Sequence, residues 1–180
     1  MFIICVLFLL FLLFFFRGKS YKLNFYPFYE NFISCPADGK ILRISVIQQT
    51  HLCISIFLNF YNVHIQYAPC EGIITNKEYF KGSFHPAYIF EKSNLNEKLV
   101  TTIFNNKWGN IYVIQIAGLF AKRIISFKNI NSFTYQGEPL GLIKFGSRVD
   151  LIIPIEFIDK ILVKSNDLVN IDQPIIKMKD

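Results

Sequence analysis

From about residue 31 onward the chain runs in short stretches of alternating apolar and polar positions, broken by Gly, Pro, Asn and Asp. Across residues 51–60, Leu52, Ile54, Ile56 and Leu58 fall on one side of an extended strand. Cys53, Ser55, Phe57 and Asn59 take the other side, because successive side chains of a strand point to opposite faces. Residues 63–67 repeat the pattern, with Val63, Ile65 and Tyr67 on one face and His64 turned away from them. Residues 110–117 and 142–153 predict two further strands, and 158–163 a short one. Turn signals separate these runs: Pro36-Ala37-Asp38-Gly39, Cys70-Glu71-Gly72, Asn105-Asn106 and Gln136-Gly137-Glu138-Pro139. Outside the first residues, helical periodicity is suggested only over 91–100. Many short strands joined by Gly/Pro turns predict a mainly β fold, a compact barrel or sandwich-like single domain.

The first residues break the pattern. Residues 2–16 are all Phe, Ile, Leu, Val or Cys, and Arg17, Lys19 and Lys22 follow at once. A secretory signal would carry its positive charge before the apolar stretch and a small-residue cleavage site after it. The stretch is shorter than the roughly 30 Å hydrocarbon core requires, yet flanking basic side chains and local bilayer thinning accommodate such a mismatch. The expectation is a hydrophobic membrane anchor at 1–17 and one domain at 18–180. Basic residues after the stretch place that domain on the cytoplasmic side.

Composition adds limits. The formal charge of +6 suits an anionic lipid surface, and the Lys and Arg residues are too scattered for a nucleic-acid footprint. Cys5, Cys35, Cys53 and Cys70 form no CxxC pair and have no histidine at ligand spacing, so no metal site is expected. Reduced, buried thiols in a cytosol-facing domain are the expectation for the last three. No glycine-rich phosphate loop is present.

The candidate chemistry is sparse when taken residue by residue. Asp38 in its tight turn reads as an Asx-turn residue. Gly146-Ser147 reads as a bulge within a strand, and a lone histidine such as His51, His64 or His85 as structural. In combination the segments say more. They run Ser34-Cys35-Pro36-Ala37-Asp38-Gly39-Lys40, then Asn62-Val63-His64 leading to Ala68-Pro69, then Asn96-Glu97. Ile116-Ala117-Gly118-Leu119-Phe120-Ala121-Lys122-Arg123-Ile124 follows, and Gly141-Leu142-Ile143-Lys144-Phe145-Gly146-Ser147-Arg148-Val149-Asp150 ends the series. In this order the series closely resembles the short form of the phosphatidylserine decarboxylase proenzymes, over roughly residues 14–154. Departures are Cys35 before the Pro-Ala-Asp-Gly turn and Tyr61, where long-form enzymes carry histidine.

The resemblance implies an enzyme that cuts itself between Gly146 and Ser147. It implies a larger β chain, 1–146, and a small α chain, 147–180, whose first residue becomes a covalent pyruvoyl cofactor. Asp38, His64 and Ser147 match the family's catalytic residues. A serine hydroxyl needs an adjacent base to act as a nucleophile at neutral pH, and an imidazole held by a carboxylate suits that task. The implied reaction is decarboxylation of phosphatidylserine to phosphatidylethanolamine through a Schiff base to the pyruvoyl carbonyl, which withdraws electrons as CO2 leaves. Lys122 and Arg123 match a basic pair that would meet the lipid phosphate. Asn96-Glu97 matches a family segment without an assigned step. The implied partners are phosphatidylserine in the membrane, the two chains of one precursor and, in one arrangement, a homodimer, with no nucleic acid. Two other readings compete: a pyruvoyl decarboxylase of another amine-bearing carboxylate, and a membrane-tethered β-barrel binding module that never processes.

Overall fold

The computed structural model describes Cys5, Val6, Leu9 and residues 31–119, 124–143 and 146–180. Its strands, in chain order, begin with β1 (Phe32–Ser34), β2 (Gly39–Ile47), β3 (His51–Leu58), β4 (Ile65–Tyr67) and β5 (Gly72–Phe80). A short helix α1 (Phe90–Ser93) precedes β6 (Lys98–Asn105), β7 (Gly109–Ile116), β8 (Ile124–Ser126) and β9 (Phe133–Thr134). The chain continues with β10 (Pro139–Ile143), β11 (Ser147–Pro154), β12 (Ile158–Ile161), β13 (Leu168–Val169) and β14 (Pro174–Met178). The mainly β expectation therefore holds.

An eight-stranded antiparallel sheet in the order β13-β2-β3-β11-β7-β6-β5-β9 forms a curled half-barrel. Two three-stranded sheets, β1-β14-β12 and β4-β10-β8, accompany it. The inner face of the large sheet is built by the alternation read in the sequence. Ile54, Ile56 and Leu58 of β3 are fully buried, as are Val149, Leu151 and Ile153 of β11 and Ile111 of β7. Burying each such side chain stabilises the fold by about 1.5–3 kcal/mol. Val63 and Tyr67 form a second small cluster with Ile171, joined by the half-buried Ile65, on the face of β4 opposite His64.

Two expectations need correction. The apolar run 142–153 is not one strand. β10 ends at Ile143 and pairs with β4 and β8, whereas β11 starts at Ser147 and pairs with β3 and β7. Gly146, at φ +60°, stands between them, so it ends a pairing and is not a bulge inside one. The helix suggested over 91–100 is confined to α1, and residues from Lys98 are strand. Pairing of β6 with both β5 and β7 outweighs the local helical spacing. The β2, β5 and β6 strands, not singled out in the sequence, supply much of the large sheet.

Among the described residues, no helix is long and apolar enough to cross a membrane. The expected anchor at 1–17 falls almost wholly outside the described residues.

Candidate active site

Register places the motif segments together. Phe57 of β3 pairs with Lys40 of β2 and with Arg148 of β11. Arg148 pairs with Ile116 of β7, and Ile116 with Lys98 of β6. One row across the sheet thus joins the start of β2, the end of β3, the start of β11, the end of β7 and the start of β6. Asp38, Ser147, Ala117 and Glu97 all lie at this end, one or two positions beyond the row. Segments scattered over more than a hundred residues of sequence meet there because the strands run antiparallel.

Ser147 shares the inner face of β11 with Val149, Leu151 and Ile153, and it is fully buried. Its Oγ has no hydrogen-bond partner among the described residues. A buried hydroxyl normally finds a partner, so this one stands out. The residue before it, Gly146, lies in the left-handed region, where a Cβ would cost about 1–2 kcal/mol. Among the described residues no atom lies within 4 Å of where that Cβ would stand, so there the conformation selects glycine and crowding does not.

His64 is buried just ahead of β4. Its carbonyl accepts from the Ile143 N–H at 3.1 Å, which ties it to the last residue of β10. Its Nδ1 lies 2.7 Å from the Asn62 carbonyl oxygen. A carbonyl only accepts, so this contact puts a proton on Nδ1 and makes Nε2 the basic nitrogen of the neutral ring. A polar chain missed in the sequence braces this segment from the other sheet. Gln66 Nε2 donates to the His64 carbonyl at 2.8 Å, and Gln115 Nε2 donates to Gln66 Oε1 at 2.7 Å. Gln115 pairs with Val149 on the inner face. A glutamine in line with Ile111 and Val113 was the available signal.

Asp38 sits in the turn before β2, and its Oδ1 accepts from the Ile171 N–H at 2.7 Å. That is a long-range bond and not the local Asx-turn. The Pro36 carbonyl accepts from the Tyr67 N–H at 2.9 Å, so this turn is fastened to β4, the strand that follows His64. Gly39 lets β2 approach closely here, since a Cβ would stand 2.3 Å from the Phe57 carbonyl oxygen. Asn96 is a loop holder. Its side chain accepts from the His85 N–H at 2.8 Å and donates to the carbonyls of His85 and Ala117, each at 2.7 Å. His85 is accordingly bound through its backbone. Glu97 is buried, and its contact with the Tyr79 hydroxyl raises the tyrosine pKa. Lys122 and Arg123 lie outside the described residues.

The outer face of the same strand end is also filled. Arg148 is buried, with Nε 3.0 Å from Asp150 Oδ1 and Nη2 donating to Asp150 Oδ2 at 3.1 Å. Burial raises the Asp150 pKa, with the Arg148 charge opposing. Nothing in the sequence marked this pair as interior.

Cys35, Cys53 and Cys70 are free and buried, as expected. Burial pushes the Cys35 thiol up to about 12 and the Cys53 thiol to about 11, which makes both poor nucleophiles. Among the described residues, no cluster of His, Cys, Asp and Glu could hold a metal ion. A cavity of about 550 Å³ opens at the opposite end of the sheet, between Phe104, Trp108, Phe133 and Gln136. It holds none of the Ser147, His64 or Asp38 groups.

The domain is mainly β, and its fully buried Ser147 follows a left-handed glycine at the end of the large sheet where Asp38 also lies. The sequence model of the family described as phosphatidylserine decarboxylase matches residues 8–177. Proteins described as phosphatidylserine decarboxylase proenzyme from Burkholderia ambifaria and Burkholderia lata are each 36% identical over 154 residues. Those matches cover 83% of this chain and 71% of each relative. The chain belongs to the phosphatidylserine decarboxylase family, and it is a decarboxylase of phospholipid biosynthesis.

Proposed function

We propose that the chain matures by cutting itself between Gly146 and Ser147, and that the α chain beginning at residue 147 then decarboxylates phosphatidylserine to phosphatidylethanolamine. The observation that carries this reading is the buried Ser147 hydroxyl, without a hydrogen-bond partner among the described residues and directly after a left-handed glycine. The proenzyme name of the relatives points the same way.

In the maturation step, His64 takes the Ser147 hydroxyl proton, and the oxygen adds to the Gly146 carbonyl carbon. The C–N bond breaks as the ester forms. Loss of the residue 147 α-proton then expels the Gly146 carboxylate. Water replaces the nitrogen of the resulting dehydroalanine, releasing ammonia and leaving a pyruvoyl end. Asp38, at the same end of the sheet, supplies negative charge that favours the imidazolium, and its Ile171 bond joins the two future chains. The buried setting of residue 147 fits a small, uncharged carbonyl group. Once formed, that group would supply the electron sink that decarboxylation requires. His64 is the candidate group for returning a proton to the product, as its Nε2 is the basic nitrogen of the neutral ring.

A bilayer substrate is consistent with residues 2–16 and the basic residues after them, read as an anchor with the domain on the cytoplasmic side. Tyr88, Leu95 and Leu119 are exposed on the connections at the Ser147 end, where a lipid surface would meet the site. Lys122 and Arg123, on the same connection as Leu119, are assigned to the lipid phosphate. Carbon dioxide release from vesicles holding headgroup-labelled phosphatidylserine tests the activity: wild type should release label and Ser147→Ala none. Release by Ser147→Ala rules out chemistry at residue 147. Release from another amine-bearing carboxylate alone would reassign the substrate.

A further inference from the structure

Arg148 is the second residue after the proposed cut, and its side chain lies on the face of β11 opposite Ser147. Besides Asp150, its guanidinium reaches a different part of the chain. Nη1 donates to Ser93 Oγ at 2.6 Å and Nη2 to Asn94 Oδ1 at 2.8 Å. The ring of Phe90 lies 4.3 Å from its central carbon. The planar fork is thus used on both edges and one face, and the whole group is 1% exposed. Burying such a group costs desolvation, which these hydrogen bonds and the Asp150 pair offset only while the guanidinium stays in this geometry.

Before the cut, Ser147 is held by peptide bonds on both sides. After it, residue 147 is a strand end, and strand ends fray unless tied down. Arg148 is the first side chain able to tie it, and what it ties it to is α1 and Asn94, which belong to the other chain of the matured pair. Asn94 in turn leads directly into Asn96, which holds the His85 loop and Ala117 beside the site.

Building on the self-cleavage reading, we propose that Arg148 is a positioning residue that acts after the cut, pinning the new α-chain end to α1 and Asn94 so that residue 147 stays in register opposite Leu58. It does not take part in breaking the bond. The clamp matters to turnover and not to maturation.

The test uses the full chain and Ser93→Ala/Asn94→Leu, which releases the clamp and leaves the buried Arg148–Asp150 pair intact. Self-cleavage should run at the wild-type rate. Turnover on phosphatidylserine vesicles should lose roughly ten- to a hundredfold in kcat, the scale of a displaced reacting group, with KM unchanged. Asn94→Asp, which keeps an acceptor for the guanidinium, should retain wild-type turnover. Amide exchange at residues 148–150 should rise in the cut double variant and stay at the wild-type level when the same changes are made in uncut Ser147→Ala. Equal slowing of cleavage and turnover, or faster exchange in the uncut protein, would show a general structural role and overturn the inference. Unchanged turnover would overturn it as well. If the wild-type chain stays whole, the self-cleavage reading fails first, and the clamp falls with it.

Discussion

Gln115 Nε2 donates to Gln66 Oε1 at 2.7 Å, and through that bond the strand carrying Val149's partner braces the segment carrying His64. Gln66 completes the link by donating to the His64 carbonyl. Both amides are buried, so the contact is made without competition from water. Gln115→Leu should leave Gln66 Oε1 unsatisfied and cost about 1–3 kcal/mol of stability. Self-cleavage should slow with it, because the base loses its brace. Urea unfolding of uncut Ser147→Ala, with and without the change, reads the first effect. A cleavage time course on gels reads the second.

Gly146→Ala separates conformation from space. Among the described residues nothing stands where the new methyl would go, but φ +60° disfavours it by about 1–2 kcal/mol. The variant should therefore still cut, with its rate reduced roughly tenfold if the left-handed geometry must persist at the moment of attack. A rate equal to wild type would mean that the bond reacts from another backbone conformation.

Asn96→Ala should act on the loop and not on the bond. It removes partners from the His85 N–H and from the carbonyls of His85 and Ala117. Amide exchange at His85 should accelerate strongly, and stability should fall by about 1–3 kcal/mol for each group left buried and unpaired. His85→Ala should be close to neutral, since Asn96 holds its backbone only.

Glu138 gives the pH dependence. Burial alone would raise its pKa, but hydrogen bonds from Lys128, the Tyr135 N–H and Thr134, with the Lys128 charge, hold it below the ordinary carboxylate range. Its folded pKa is therefore lower than its unfolded one, and the unfolded chain binds the proton first as pH falls. The stabilisation is present above the ordinary carboxylate pKa and disappears as pH drops through the folded value. Glu138→Gln should flatten the stability profile over that acidic window and leave the slope above it unchanged. Chemical denaturation across a pH series measures both.

The β class was legible because period-two alternation of residue types runs through residues 51–60 and 63–67, where the structure has β3 and β4. The break at Gly146 was not, because Leu142, Ile143 and Phe145 continue the apolar pattern into β11 and hide the change of sheet. Asp38, His64 and Ser147 could be singled out by their family segments, but what holds them could not. The Ile171 amide that meets Asp38, the Gln115 that meets Gln66, and the Ser93 that meets Arg148 are all long-range partners. Nothing in the sequence marks Arg148 as buried, whereas in the fold α1 packs against its guanidinium. Pairings of that kind arise from the order of strands in the sheet, which periodicity does not encode.

The most direct test of self-cleavage at Ser147 is the intact mass of the purified, denatured protein. The account predicts separate chains divided between Gly146 and Ser147, the smaller one lighter by one ammonia than hydrolysis would leave it. A single uncut mass, or a smaller chain beginning with an ordinary serine, would contradict it.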